Sequence, residues 1–264
     1  MSTTTIAILG LGEAGRIYAR GLREAGAEVR GYDPHHVLGD PAVHQSAQLA
    51  DALAGADVVL SLVGAGAAAS VARDALPAMP VGAIYADLNT AAPELKQEIA
   101  ALAAAQGVAM ADVAVLAPVP RAGHRTELLA SGPGAAALRG RLGPLGVPLV
   151  VIDGPAGEAA RLRLLRSVFM KGLATLIVEG VGAARAVGAE DWLRGQMAQE
   201  LGPDGAALVD RLIEGTHRHA VRREHEMRDA LAALEATGQP TDMTRATLAW
   251  FERLVAEGQD QPGR

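Results

Sequence analysis

The pattern of apolar and polar positions changes character once along the chain. Up to about residue 152, short apolar runs alternate with amphipathic stretches. Ile6-Ala7-Ile8-Leu9 reads as a buried strand. So do Glu28 to Tyr32, Asp57 to Val63, Ala83 to Asp87, Val108 to Val115, Thr126 to Ser131 and Pro148 to Ile152. Helical patterns stand after Gly15, over 46–53 and 67–76, and from Pro93 to about Ala105, where proline suits a first turn. His35 to Pro41, rich in Gly, Pro and His, reads as a loop. Strands alternating with helices predict a doubly wound, mostly parallel sheet. From Asp153-Gly154-Pro155-Ala156-Gly157 onward no strand pattern remains. Glu158 to about Val187 reads as a single helix about 45 Å long. Helical patterns follow at about 191–200, 204–234 and 242–256, and the tail from Glu257 is polar. The expectation is an α/β domain over 1–154 and an all-α domain over 155–264, opened by the long helix.

A glycine pattern joins the first strand to the first helix. Gly10-Leu11-Gly12-Glu13-Ala14-Gly15 has the form G-x-G-x-x-G, and Asp33 follows the second strand. Gly10 permits the tight turn, Gly12 lets a pyrophosphate approach the backbone, and Gly15 lets the helix pack closely on the strand. The helix N-terminus offers free N–H groups to the phosphates. Asp33 can accept the hydroxyls of an adenosine ribose and repels a 2′-phosphate. In this context the pattern predicts a Rossmann domain that takes NAD, with NADP not excluded. An ordinary βα turn of another α/β fold is the alternative.

Composition narrows the function classes. A net charge of −6 argues against a nucleic-acid partner, because phosphate binding needs a basic surface. The absence of cysteine excludes disulfides, thiolate nucleophiles and Cys-ligated metals, and fits a cytoplasmic protein. The later apolar runs are broken by Gly, Arg, Lys171 or Glu179, so no membrane span is expected. No metal-binding spacing joins the seven histidines. The basic residues are 22 Arg and two Lys, Lys96 and Lys171. Lys96 lies in a run that reads as a solvated helix face. Lys171 lies inside an apolar helix, where it is either a group able to give up its proton or a lysine snorkelling from an interface.

The glycine pattern, the strand end Asp87-Leu88-Asn89-Thr90 and the long helix occur in an order that resembles the β-hydroxyacid dehydrogenase and 6-phosphogluconate dehydrogenase superfamily. Lys171-Gly172, Arg223 to Met227 and Thr244 to Leu254 resemble a branch with a short helical C-terminal domain of unknown function. The resemblance implies cofactor contacts at Gly10 to Gly15, Asp33, Leu62, Val63, Asn89 and Thr90. It also implies a small-molecule substrate in a cleft between the domains. The helical domain, with Trp250 and Phe251 among few aromatics, is expected to bury an apolar face against a second copy as a homodimer. Two departures stand out. The usual substrate loop, close to Asp-x-Pro-Val-Ser-Gly-Gly, is replaced by a run in which Leu116, Ala117 and Pro118 take the Ser-Gly-Gly positions. His124 and Arg125 follow on that loop, read as solvated or as substitute substrate contacts. The superfamily's catalytic Lys falls at Arg163 and its Asn at Ser167.

Arg163, Ser167 and Lys171 are spaced four apart and lie within ~80° on a helical wheel, with Thr175 and Glu179 continuing the stripe. They line the cleft or form a polar seam against another helix. Arg163 suits an anion clamp and Lys171 a proton donor. The charge run Arg218, Arg222, Arg223, Glu224, Glu226 and Arg228 reads as a solvated helix face; the alternative brings one of its charges to the active site. Three functions follow: hydride transfer between nicotinamide and a small hydroxy acid or carbonyl, imine reduction, or non-catalytic cofactor binding.

Overall fold

The computed structural model describes residues 3–41 and 43–259, and the last five tail residues lie outside the described residues. Among the described residues the strands are β1 (Thr5–Leu9), β2 (Glu28–Tyr32), β3 (His44–Gln45), β4 (Val58–Ser61), β5 (Ile84–Asp87), β6 (Ala109–Val115), β7 (Leu128–Ser131) and β8 (Leu149–Val151). They form one sheet in the order β3-β2-β1-β4-β5-β6-β7-β8. All pairs are parallel except β6–β7. The chain order reverses at β1/β4, and a doubly wound sheet binds its ligand in the crevice at such a point.

Why the strands read as nearly unbroken apolar runs is visible in β1. Ile6 and Ile8 enter one core with Tyr18 and Leu22 of α1 (Glu13–Glu24) and Leu138 and Leu142 of α5 (Ala135–Leu142). Ala7 and Leu9 enter the other core with Ala68 and Ala72 of α3 (Ala65–Ala75) and Ile99 and Ala103 of α4 (Pro93–Ala105). Side chains alternate across a strand, so helices on both faces bury Ile6 to Leu9 completely.

Several local expectations are corrected. Strand β3 and helix α5 were not anticipated, and the helix expected from Ser46 begins at Leu49, as α2 (Leu49–Leu53). β7 runs antiparallel to β6 because the link between them is two short 3-10 turns, Val119–Arg121 and Gly123–Arg125, instead of a crossover helix.

The long helix is α6 (Glu158–Ala186), and the compact units divide inside it, at Arg163/Leu164. The second unit continues with α7 (Glu190–Glu200), α8 (Gly205–Arg218), α9 (Ala220–Glu235) and α10 (Asp242–Gln259). The single helix expected over 204–234 is broken at His219, whose φ of −122° and ψ of 27° leave the helical region. Ala174, Ile177 and Val181 of α6 pack with Val209 and Leu212 of α8. Leu164 packs with Met227, Ala230 and Phe251. By length and composition alone α6 is apolar enough to cross a membrane, which the sequence reading had not allowed. Its buried polar residues Ser167, Lys171 and Thr175 mark it instead as a helix with a specific polar seam.

Candidate cofactor-binding and active site

The glycine loop is held from three sides. Gly10 has φ +93°, and a Cβ there would stand 2.6 Å from the Leu62 carbonyl oxygen. At Gly15 a Cβ would meet the Gly10 carbonyl oxygen at 1.9 Å, so only glycine lets α1 approach the loop. Gly12 differs: a Cβ there would have nothing within 4 Å. The space over Gly12 is therefore open, as a bound pyrophosphate requires. The Gly10 N–H donates to the Tyr32 carbonyl at 2.9 Å, and Arg16 Nε donates to the Leu11 carbonyl at 2.7 Å. No side chain caps α1, and its first intrahelical bond is Arg16 N–H to the Gly12 carbonyl. The N–H groups ahead of it are those a helix leaves for a phosphate. These residues fit the dinucleotide that the motif implies.

Asp33, just past β2, is tied into this loop. One carboxylate oxygen accepts from the Leu11 N–H at 2.7 Å and lies 3.1 Å from the His36 ring Nδ1. The other accepts from the N–H groups of His35 (2.8 Å) and His36 (3.0 Å). Burial opposes ionisation, but these donors outweigh it and hold the carboxyl below its ordinary range. The sequence assigns Asp33 to a ribose; that it also braces the glycine loop itself is not legible there.

A polar line crosses the carboxyl end of the sheet. The strand register places Ser61, Asp87, Asp112 and Ser131 side by side on β4, β5, β6 and β7. Asn89 donates to Ser61 Oγ at 3.0 Å and to an Asp87 carboxylate oxygen at 2.5 Å, and its own Oδ1 accepts the Gly64 N–H at 2.7 Å. Its side chain thus shapes the β4–α3 loop after Leu62 and Val63, both partly buried, while Thr90 is exposed. Lys96 of α4 corrects the expectation of a solvated face. It is 1% exposed, with Nζ 3.2 Å from carboxylate oxygens of both Asp87 and Asp112. These contacts are ionic; its well-aligned hydrogen bond goes to the Asp87 carbonyl at 2.8 Å. The second oxygen of Asp112 accepts the N–H groups of Gly157 and Ala160, each at 3.0 Å, and so closes the N-terminus of α6.

The substrate candidates are placed less uniformly. Leu116 and Ala117 are partly buried and Pro118 is exposed, just past β6. The Leu116 N–H already donates to the Glu127 carbonyl at 3.0 Å. His124 is not a solvated loop residue: its ring lies over Gly21 of α1, where a Cβ would come within 2.2 Å of Nδ1. Burial and neighbouring Arg125 push its pKa down. On α6, Arg163 is partly buried and Ser167 and Lys171 are buried. Lys171 Nζ donates to Ser167 Oγ at 3.1 Å and lies 2.6 Å from Glu226 of α9. The run 218–228 is accordingly not a plain solvated face. Glu224 is buried against Arg228, and Arg223 donates to Thr216 at 2.6 Å. The spacing of Glu224, Met227 and Ala230, all buried, was the available signal for that inward face. Thr175 is spent on the α6 backbone, and Glu179, exposed, accepts from Trp250 at 2.9 Å.

Residues 5–141 match the NAD binding domain of 6-phosphogluconate dehydrogenase, and residues 184–254 match a domain of unknown function (DUF1932). A 3-hydroxyisobutyrate dehydrogenase of Pseudomonas aeruginosa is 34% identical over 194 residues, covering 67% of this chain and 64% of the relative. Less than two thirds of that enzyme is therefore matched. A conserved hypothetical protein from Sinorhizobium meliloti superposes with a TM-score of 0.75 at 31% identity, covering 95% of this chain and 88% of that one. The fold of a 3-hydroxyisobutyrate dehydrogenase from Salmonella typhimurium is also shared, with a TM-score of 0.80 at 19% identity over 97% of this chain and 95% of that one. The chain belongs to the 6-phosphogluconate dehydrogenase-like superfamily, carrying an NAD-binding domain of that type together with a helical domain of unknown function.

Proposed function

We propose that the protein is an NAD(P)-dependent oxidoreductase that moves hydride between nicotinamide and a small hydroxy acid or carbonyl compound. The observation that carries this reading is the braced glycine loop, open over Gly12 and uncapped at α1, in a domain of the NAD-binding type. The curated relative at 34% identity supports the hydroxy-acid class. Bound nicotinamide supplies or receives the hydride. In the reducing direction Lys171 would give its proton to the carbonyl oxygen of the substrate. Glu226, 2.6 Å away, orients the ammonium. Arg163 is the proposed clamp for an anionic group of the substrate, and Leu116, Ala117 and Pro118 are the proposed apolar substrate contacts. Asp33 favours NAD(H) over NADP(H). The absence of cysteine suits a cytoplasmic setting.

A second reading is imine reduction, because the superfamily's Lys position falls at Arg163, a poor proton donor. Kinetics of two variants test the first reading. Lys171→Met is expected to lower kcat by about 10²–10⁴-fold with NAD(H) affinity nearly unchanged, as for loss of a general acid. Arg163→Met is expected chiefly to raise KM for an anionic substrate. Unchanged turnover in both variants would place the proton donor elsewhere.

A further inference from the structure

A carboxylate has about four lone-pair sites. All four of Asp33 are in use: Leu11 N–H and the His36 ring on one oxygen, His35 N–H and His36 N–H on the other. A ribose hydroxyl can bond Asp33 only if one of these donors leaves. Three of them are backbone groups built into the glycine loop and the turn after β2. The fourth is the His36 imidazole, whose side chain is 55% exposed and free to rotate outward. The Gln45 side chain holds the turn itself in place, donating to the His36 carbonyl at 2.8 Å.

Resting on the cofactor reading above, we propose that His36 sets the choice between the two nicotinamide cofactors. Neutral, its ring yields Asp33 to the ribose of NAD(H). Protonated, it holds Asp33 in a charge-assisted bond, roughly twice as strong as a neutral one. It then also offers a cation to the 2′-phosphate of NADP(H). Asp33 is held below the ordinary carboxylate range and stays ionised throughout. The other titratable or charged groups on the segments that meet here are His35 and Asp40 on the turn, Glu28, Arg30 and Tyr32 on β2, His44 on β3, and Glu13, Arg16, Tyr18, Arg20, Arg23 and Glu24 on α1. Arg20 is engaged with Asp40 at 3.2 Å. The group whose ring touches the Asp33 carboxylate is His36.

The test is a fluorescence titration of NADH and NADPH against the whole protein near pH 8 and near pH 5.5, for the wild type and for His36→Gln. The wild-type preference for NADH is expected to fall about tenfold or more toward acid. In His36→Gln only the smaller change due to the 2′-phosphate's own protonation, near pH 6, should remain. An equal shift in both proteins, or no shift in the wild type, would overturn the inference. Binding of neither cofactor at either pH would overturn the cofactor reading, and this inference with it.

Discussion

Two carboxylates, Asp87 and Asp112, sit opposite each other on neighbouring strands, and neither is exposed. One lysine serves both. The second positive end is the N-terminus of α6, where helix dipole and free N–H groups favour an anion. Lys96→Met removes the shared cation and leaves two charges in the dry interior. Breaking a buried pair this way costs about 3–5 kcal/mol, readable as a shift of the denaturant midpoint. A loss under about 1 kcal/mol would show that the carboxylates do not depend on Lys96. Asp33 gives a second prediction at this scale. Its folded pKa is depressed, so its contribution to stability is complete above the unfolded value of about 3.9 and drains as pH falls through the lower folded one. Asp33→Asn should therefore flatten the acid limb of the melting temperature against pH; an unchanged limb would show that Asp33 carries no such linkage. The glycines and Asp33 were legible because their roles follow from spacing within one βαβ unit. Lys96 was not, because its partners come together only when β5 pairs with β6 beneath α4, which no pattern within the helix shows.

Helix α6 was readable as an element, and so was its polar stripe, since both follow from a four-residue period. What the stripe faces depends on α9, which no pattern within α6 contains. The structure brings Ser167, Lys171 and Glu226 together, while Thr175 bonds its own helix and Glu179 turns to Trp250. Glu226→Leu removes this carboxylate from beside a buried ammonium. It should cost about 1–3 kcal/mol in chemical denaturation, and more than Arg222→Leu, since Arg222 is exposed and lies 3.9 Å from Glu226. Equal losses would show that the pair is no more important than a surface contact. Other elements escaped for physical reasons. β3 has two residues, too few to show a period, and α5 carries Gly140 in its interior. His219 breaks a continuous helical pattern with a polar residue that single-helix periodicity does not flag.

Leu165, Phe169 and Leu176 fall on one stripe of α6 and are exposed, at 41%, 66% and 63%. Phe251, expected on the face toward a second copy, is buried in the core, and Trp250 bonds Glu179, so the face proposed for a second copy is this stripe; two-fold dimers are the commonest closed assembly. Sedimentation at micromolar concentration is expected to give a dimer, and Phe169→Glu a monomer. A wild-type monomer would refute the proposal. The most direct test of the central claim is absorbance at 340 nm with a panel of 2- and 3-hydroxy acids, aldehydes and cyclic imines, each with NAD(H) and NADP(H). The account predicts turnover of at least one hydroxy acid or aldehyde, faster with NAD(H) at neutral pH and lost in Lys171→Met. Tight cofactor binding without turnover of any of them would contradict it, and turnover of imines alone would replace it with the imine-reducing reading.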